Sequence, residues 1–144
     1  MIRMLFRFFV ILILFVSCKT YTISKESLTE QLSGVDKEKM NEVEVSNPLL
    51  FGNIRYSANN IQEIIVLDKE GNQFFLKNSP SLEMRVTQKN GKKNVLYFDT
   101  VVIEGEILKG SRSRFSQALT IEIPIVDILK IEIQDGRKNF KYKK

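Results

Sequence analysis

The chain has 144 residues, of which 43% are hydrophobic and 27% charged, with 7 Gly and 3 Pro, and this is the composition of one folded domain rather than a disordered or fibrous chain. The sequence has no histidine and a single cysteine, Cys18, which removes the commonest general base and metal ligand and leaves no partner for an intramolecular disulfide. The formal net charge is +5, and without Arg3 and Arg7 of the N-terminal segment 20 basic side chains face 17 acidic ones, a balance of +3 that demands no polyanionic partner.

The first element in chain order is a basic stretch with Arg3 and Arg7, followed by the apolar run from Phe8 to Val16 and then Ser17-Cys18. A basic region, a short apolar region and a small residue before a cut are the parts of a secretory signal. A membrane-spanning helix needs about 20 apolar residues to cross a ~30 Å hydrocarbon core, and this run is too short for that. Leu14-Phe15-Val16-Ser17-Cys18 resembles a lipobox, with Phe15 where Leu is commonest. The resemblance implies removal of residues 1–17 and acylation of Cys18. Several acyl chains on one cysteine anchor a protein stably, because each buried methylene contributes about 0.8 kcal/mol. Lys19, in place of an aspartate after the cysteine, favours the periplasmic face of the outer membrane, and export argues against a nucleic-acid partner.

Residues 18–42 read as a lipidated tether carrying a short helix. Ser27-Leu28-Thr29-Glu30 has capping-box spacing, Leu28, Leu32 and Val35 share a face, and Gly34 suits the helix end. Asp36 to Asn41 reads as a charged connector. Residues 43–144 read as mainly β, a small antiparallel barrel or sandwich. Leu82, Met84 and Val86 alternate with polar residues, as do Leu119, Ile121, Ile123 and Ile125. Asp68 to Asn72 predicts a hairpin with Gly71 at positive φ, Asn90-Gly91 a primed turn, and Asp135-Gly136 a turn folding Lys138–Tyr142 back onto Leu129–Ile133. Gly105 predicts a bulge within a strand over 101–108. Pro124 belongs at a strand end, before one turn of Ile125 to Ile128. That last arrangement resembles SH3-like or Sm-like barrels.

A wider likeness runs through Asn78–Arg85, Tyr97–Thr100, Ser111–Phe115 and Ile131–Phe140, which resemble segments of a group of short, uncharacterised bacterial lipoproteins. The resemblance implies the anchor and a compact β domain, and implies no activity.

No catalytic constellation, cofactor motif or metal-ligand spacing is present. Asp99, Glu104 and Glu106 allow a calcium or acid–base site to be drawn, but acidic residues beside a strand glycine are usually a solvated face. The candidate binding residues are Arg112, Arg114 and Phe115: two arginines and an aromatic in a loop can hold a carboxylate, a phosphate or a lipid headgroup, or an envelope protein partner. In the tail from Arg137 to Lys144, Phe140 and Tyr142 should face the core while Lys141 and Lys143 point outward, the pattern of a charged edge strand.

Overall fold

The computed structural model describes residues 19–35, 38, 40–46, 52–116, 119–136 and 140–142. Residues 1–18, half of the 36–41 connector (Asp36, Lys37 and Lys39), and Arg137, Lys138 and Lys143 of the tail lie outside the described residues. Among the described residues eleven strands are formed: β1 (Thr20–Ile23), β2 (Asn41–Ser46), β3 (Asn53–Ala58), β4 (Glu63–Leu67), β5 (Gln73–Lys77), β6 (Leu82–Gln88), β7 (Lys93–Tyr97), β8 (Val102–Glu104), β9 (Ile107–Ser111), β10 (Thr120–Pro124) and β11 (Ile128–Asp135), with helix α1 (Lys25–Leu32) after β1. Among the described residues no helix is long and apolar enough to cross a membrane.

The strands make a six-stranded sheet in the order β5-β4-β1-β11-β6-β7, a three-stranded sheet β10-β9-β8 and the ribbon β2-β3, with antiparallel pairing throughout. The large sheet does not close into a barrel, because β5 and β7 are its edges. The three-stranded sheet and α1 cover its inner face. Alternation explains this layering: Leu82, Met84 and Val86 are buried while Glu83, Arg85 and Thr87 stay part-exposed. They meet Ile131 and Ile133 of β11, Leu108 of β9, Ile123 of β10 and Leu28 and Leu32 of α1 in one core. A smaller cluster of Val45, Ile54, Tyr56 and Ala58 lies under the ribbon, with Phe140 packed against it.

The expected tether over 18–42 is not separate from the domain. Thr20–Ile23 is an inner strand with β4 on one side and β11 on the other, and Leu28, Leu32 and Val35 are buried. Four residues carry too little pattern to announce a strand; their pairing partners lie far along the chain, at 131–134 and Leu67. Helix α1 starts earlier than the capping-box reading, with Ser24 as its N-cap accepting from Ser27 N at 3.1 Å. Where β1 ends, Gln31 replaces a neighbouring strand for β4: Ile65 N donates to Gln31 Oε1 at 2.7 Å and Gln31 Nε2 donates to Ile65 O at 3.0 Å.

Turn chemistry is close to expectation but not identical. In the β4–β5 turn Gly71 has φ 87°, Gly71 N donates to Asp68 O at 3.2 Å and Asp68 N to Asn72 O at 2.9 Å. The β6–β7 turn repeats this, with Gly91 at φ 82°. Gly91 N donates to Gln88 O and Gln88 N to Lys92 O, both at 2.9 Å. These are three-residue loops ending in a left-handed glycine, so Asn90-Gly91 does not form a two-residue primed turn. Gly105, at φ 59°, is the turn between β8 and β9 and not a bulge within one strand. Pro124 ends β10, and Ile125–Asp127 makes one 3₁₀ turn before β11. The tail does not return to β11, both of whose edges are taken by β1 and β6; Tyr142 instead bridges to Val45 of β2.

Candidate functional site

Two features converge where the ribbon meets the three-stranded sheet, the first a buried polar cluster. The β2–β3 ribbon is fastened by Asn59, whose N donates to Asp99 O at 2.6 Å and whose Nδ2 donates to Phe98 O at 2.8 Å and Val101 O at 3.0 Å. These bonds hold the one-turn 3₁₀ segment Phe98–Thr100 so that the Asp99 side chain points inward, where it is fully buried. Asp99 Oδ2 accepts from the Tyr56 hydroxyl and, at 2.9 Å, from the Tyr142 hydroxyl. Arg114 Nη2 lies 3.4 Å from Asp99 Oδ1 and donates to Pro80 O, and Arg114 Nε donates to the Tyr56 hydroxyl at 3.1 Å. The guanidinium lies on the ring of Tyr97, whose centroid is 3.5 Å from Cζ. Desolvation first, and then the Asp99 charge, push the phenols of Tyr56 and Tyr142 well above their ordinary range, so both stay protonated donors.

The second feature is a cleft of about 420 Å³ beside this cluster. One wall is the outer face of the β8–β9–β10 sheet. Because side chains alternate, Leu108 and Ile123 enter the core while Glu104, Lys109, Ser111, Thr120 and Glu122 face the cleft, and Val102 lines both. Tyr56 and Ser57 of β3, with Met40, form the opposite side. Register sets Glu122 directly across from Lys109, and Lys109 Nζ bonds Glu104 Oε2 at 2.9 Å and Glu122 Oε1 at 3.0 Å. The hydrogen bonds to Glu104 and then Glu122 raise the Lys109 pKa, so the ammonium stays charged. The floor is rigid: Ser111 N donates to Thr100 Oγ1 at 2.8 Å, and Thr100 Oγ1 to Tyr97 O at 2.7 Å.

The three residues nominated from sequence are not brought together. Arg114 is turned inward, 4% exposed and engaged with Asp99, so it is not presented by the loop to a solvent anion. Arg112 is exposed and donates to Asn94 Oδ1 at 3.2 Å, and Phe115 is 67% exposed. Nor do the three carboxylates converge. Asp99 is in the core, Glu104 is on Lys109 and Glu106 is exposed in the β8–β9 turn, and among the described residues no group of three His, Cys, Asp or Glu is placed to hold a metal ion. No family model, curated protein or solved structure matches the chain. The geometry of the cleft therefore bears the functional argument. Among the described lining residues the one cation is balanced by two carboxylates and the remaining polar side chains are hydroxyls, an environment suited to a neutral or cationic ligand rich in hydrogen-bonding groups.

Proposed function

We propose that this chain is an exported bacterial lipoprotein, acylated at Cys18 and held at the cell envelope, on the periplasmic face of the outer membrane, with a β domain that binds a small polar ligand and performs no catalysis. The observation that carries the anchor is where the leader stops. The basic and apolar N-terminal run and Ser17-Cys18 stand immediately before β1 at Thr20, so a cut in front of Cys18 leaves every described residue in place. The ligand reading is supported by the cleft, whose Glu104–Lys109–Glu122 array favours an amine or polyol over a free anion.

Intact mass of the membrane-extracted protein tests the anchor. Loss of residues 1–17 with added acyl mass, abolished in Cys18→Ala, is the expected result; an unmodified mass refutes it. Titration with spermidine, a neutral trisaccharide and inorganic phosphate tests the cleft. Saturable binding of either of the first two, weakened in Glu122→Ala, is expected, whereas a response to phosphate alone returns the argument to Arg112. A second reading, an accessory subunit docking on another envelope protein, is favoured by Phe75, 64% exposed on edge strand β5, and by Phe115.

A further inference from the structure

Strand β1 begins at Thr20, and Cys18 is two residues before it. Two residues of chain reach at most about 7 Å, so a group attached at Cys18 has almost no spacer between it and the main sheet. The surroundings of the β1 start at that rim are fixed by register. On one side Thr22 lies opposite Leu67, which brings the Asp68–Asn72 turn alongside Lys19, and Lys19 Nζ sits 4.7 Å from the Phe74 ring centroid. On the other side Thr20 lies opposite Gln134. Ser81 Oγ there donates to Asp135 Oδ1 at 2.6 Å and Gly136 N donates to Ser81 O at 2.8 Å.

We propose that, with acyl chains on Cys18, this rim, the Asp68–Asn72 turn together with the Ser81–Asp135 corner, rests on the lipid headgroups and gives the domain one orientation on the bilayer. The inference rests on the lipid-anchor reading and deepens it, because a protein on a long tether would have no preferred face. The surface chemistry suits a headgroup layer. Lys69, Glu70 and Asp135 at the rim are exposed and of both signs. On the outer face of the β4–β5 hairpin, Leu67 and Phe75 are diagonal neighbours, 43% and 64% exposed, placed where an apolar side chain meets the headgroup boundary. The β6–β7 turn is at the other end of β6, about 20 Å away at ~3.3 Å per strand residue.

The test uses the full chain, processed in cells and reconstituted in phosphatidylcholine vesicles, with Lys69→Cys or Lys89→Cys labelled by a fluorophore. Acylated Cys18 offers no thiol, so the introduced cysteine is the one labelled. Headgroup-spin-labelled lipid should quench the residue 69 label several times more strongly than the residue 89 label. Equal quenching on protein that carries acyl mass overturns the orientation and leaves the anchor standing. Absence of acyl mass and of vesicle binding overturns both. A ten-residue Gly-Ser insertion after Cys18 adds about 17 Å of r.m.s. reach and should make the two labels alike. A difference that survives the insertion overturns short reach as the cause.

Discussion

Replacing Asp99 with Asn changes almost no volume and removes one buried charge. Asp99 is fully buried and the Arg114 side chain is 2% exposed, so Asp99→Asn leaves a guanidinium in the core with no counter-charge. Breaking a buried pair in this way costs about 3–5 kcal/mol, far more than a surface pair is worth. Against a total stability of about 5–15 kcal/mol, that is a large share of what holds a domain together. For a domain of this size it corresponds to a Tm lower by roughly 12–20 °C. Urea unfolding of residues 19–144, followed by circular dichroism, measures the loss, and the pair with Arg114→Gln closes a double-mutant cycle. The double variant should be about 1–3 kcal/mol more stable than the sum of the single losses requires. A loss under about 1 kcal/mol for Asp99→Asn, or losses that add within ~0.5 kcal/mol, would refute the claim that the charges stabilise each other.

The two phenols give a pH signature. Their folded pKa values lie above the ordinary value of 10.0, so below pH 10 they contribute no slope. Above it the unfolded chain releases protons that the folded chain keeps, and stability should fall by about 1.4 kcal/mol per pH unit for the buried Tyr56 and by less for Tyr142, which is 37% exposed and partly screened by water. Tyr142→Phe should make the fall between roughly pH 10 and 12 shallower by a fraction of one proton, read from urea midpoints across the series. Gly110→Ala would set a Cβ 3.0 Å from Leu96 Cδ1 and 3.1 Å from Val101 Cγ2. Overpacking of this kind should cost about 1–3 kcal/mol, and an unchanged thermal midpoint would show that the cleft wall gives way freely. Gln31→Ala strips both backbone partners from Ile65, with an expected loss of about 1–3 kcal/mol and faster amide exchange at Ile65 than at Val66.

What was legible in the sequence is what neighbours along the chain decide. The alternation over Leu82 to Thr87 marks β6 and its buried face, Gly71 and Gly91 mark hairpins, and the spacing of Leu28 and Leu32 marks the buried side of α1. What was not legible depends on residues far apart. Thr20-Tyr21-Thr22-Ile23 alternates over only four positions and becomes an inner strand because β11 and β4 flank it. Arg114 looked like a loop residue open to ligands, yet Asp99, Tyr97 and Tyr56 arrive from elsewhere in the chain to enclose it. The cleft charges show a faint local trace, since Glu104 and Lys109 flank the Gly105 turn, but Glu122 joins them only through the β9–β10 register.

The pairing of β1 with β11 also sets the order in which the molecule can be completed. Ile23 and Ile131 are partners separated by more than a hundred positions, and β11 alone joins β1 to β6. As the chain folds, the hairpins β4–β5 and β6–β7 can close early because their loops are short, but the inner seam waits for β11. Until Ile128–Asp135 docks, the apolar faces of β1 and β6 lack the strand that unites them. A chain cut before Ile128 would hold hairpins without a sheet, a species prone to aggregation and proteolysis, so β11 acts as the quality gate for the main sheet.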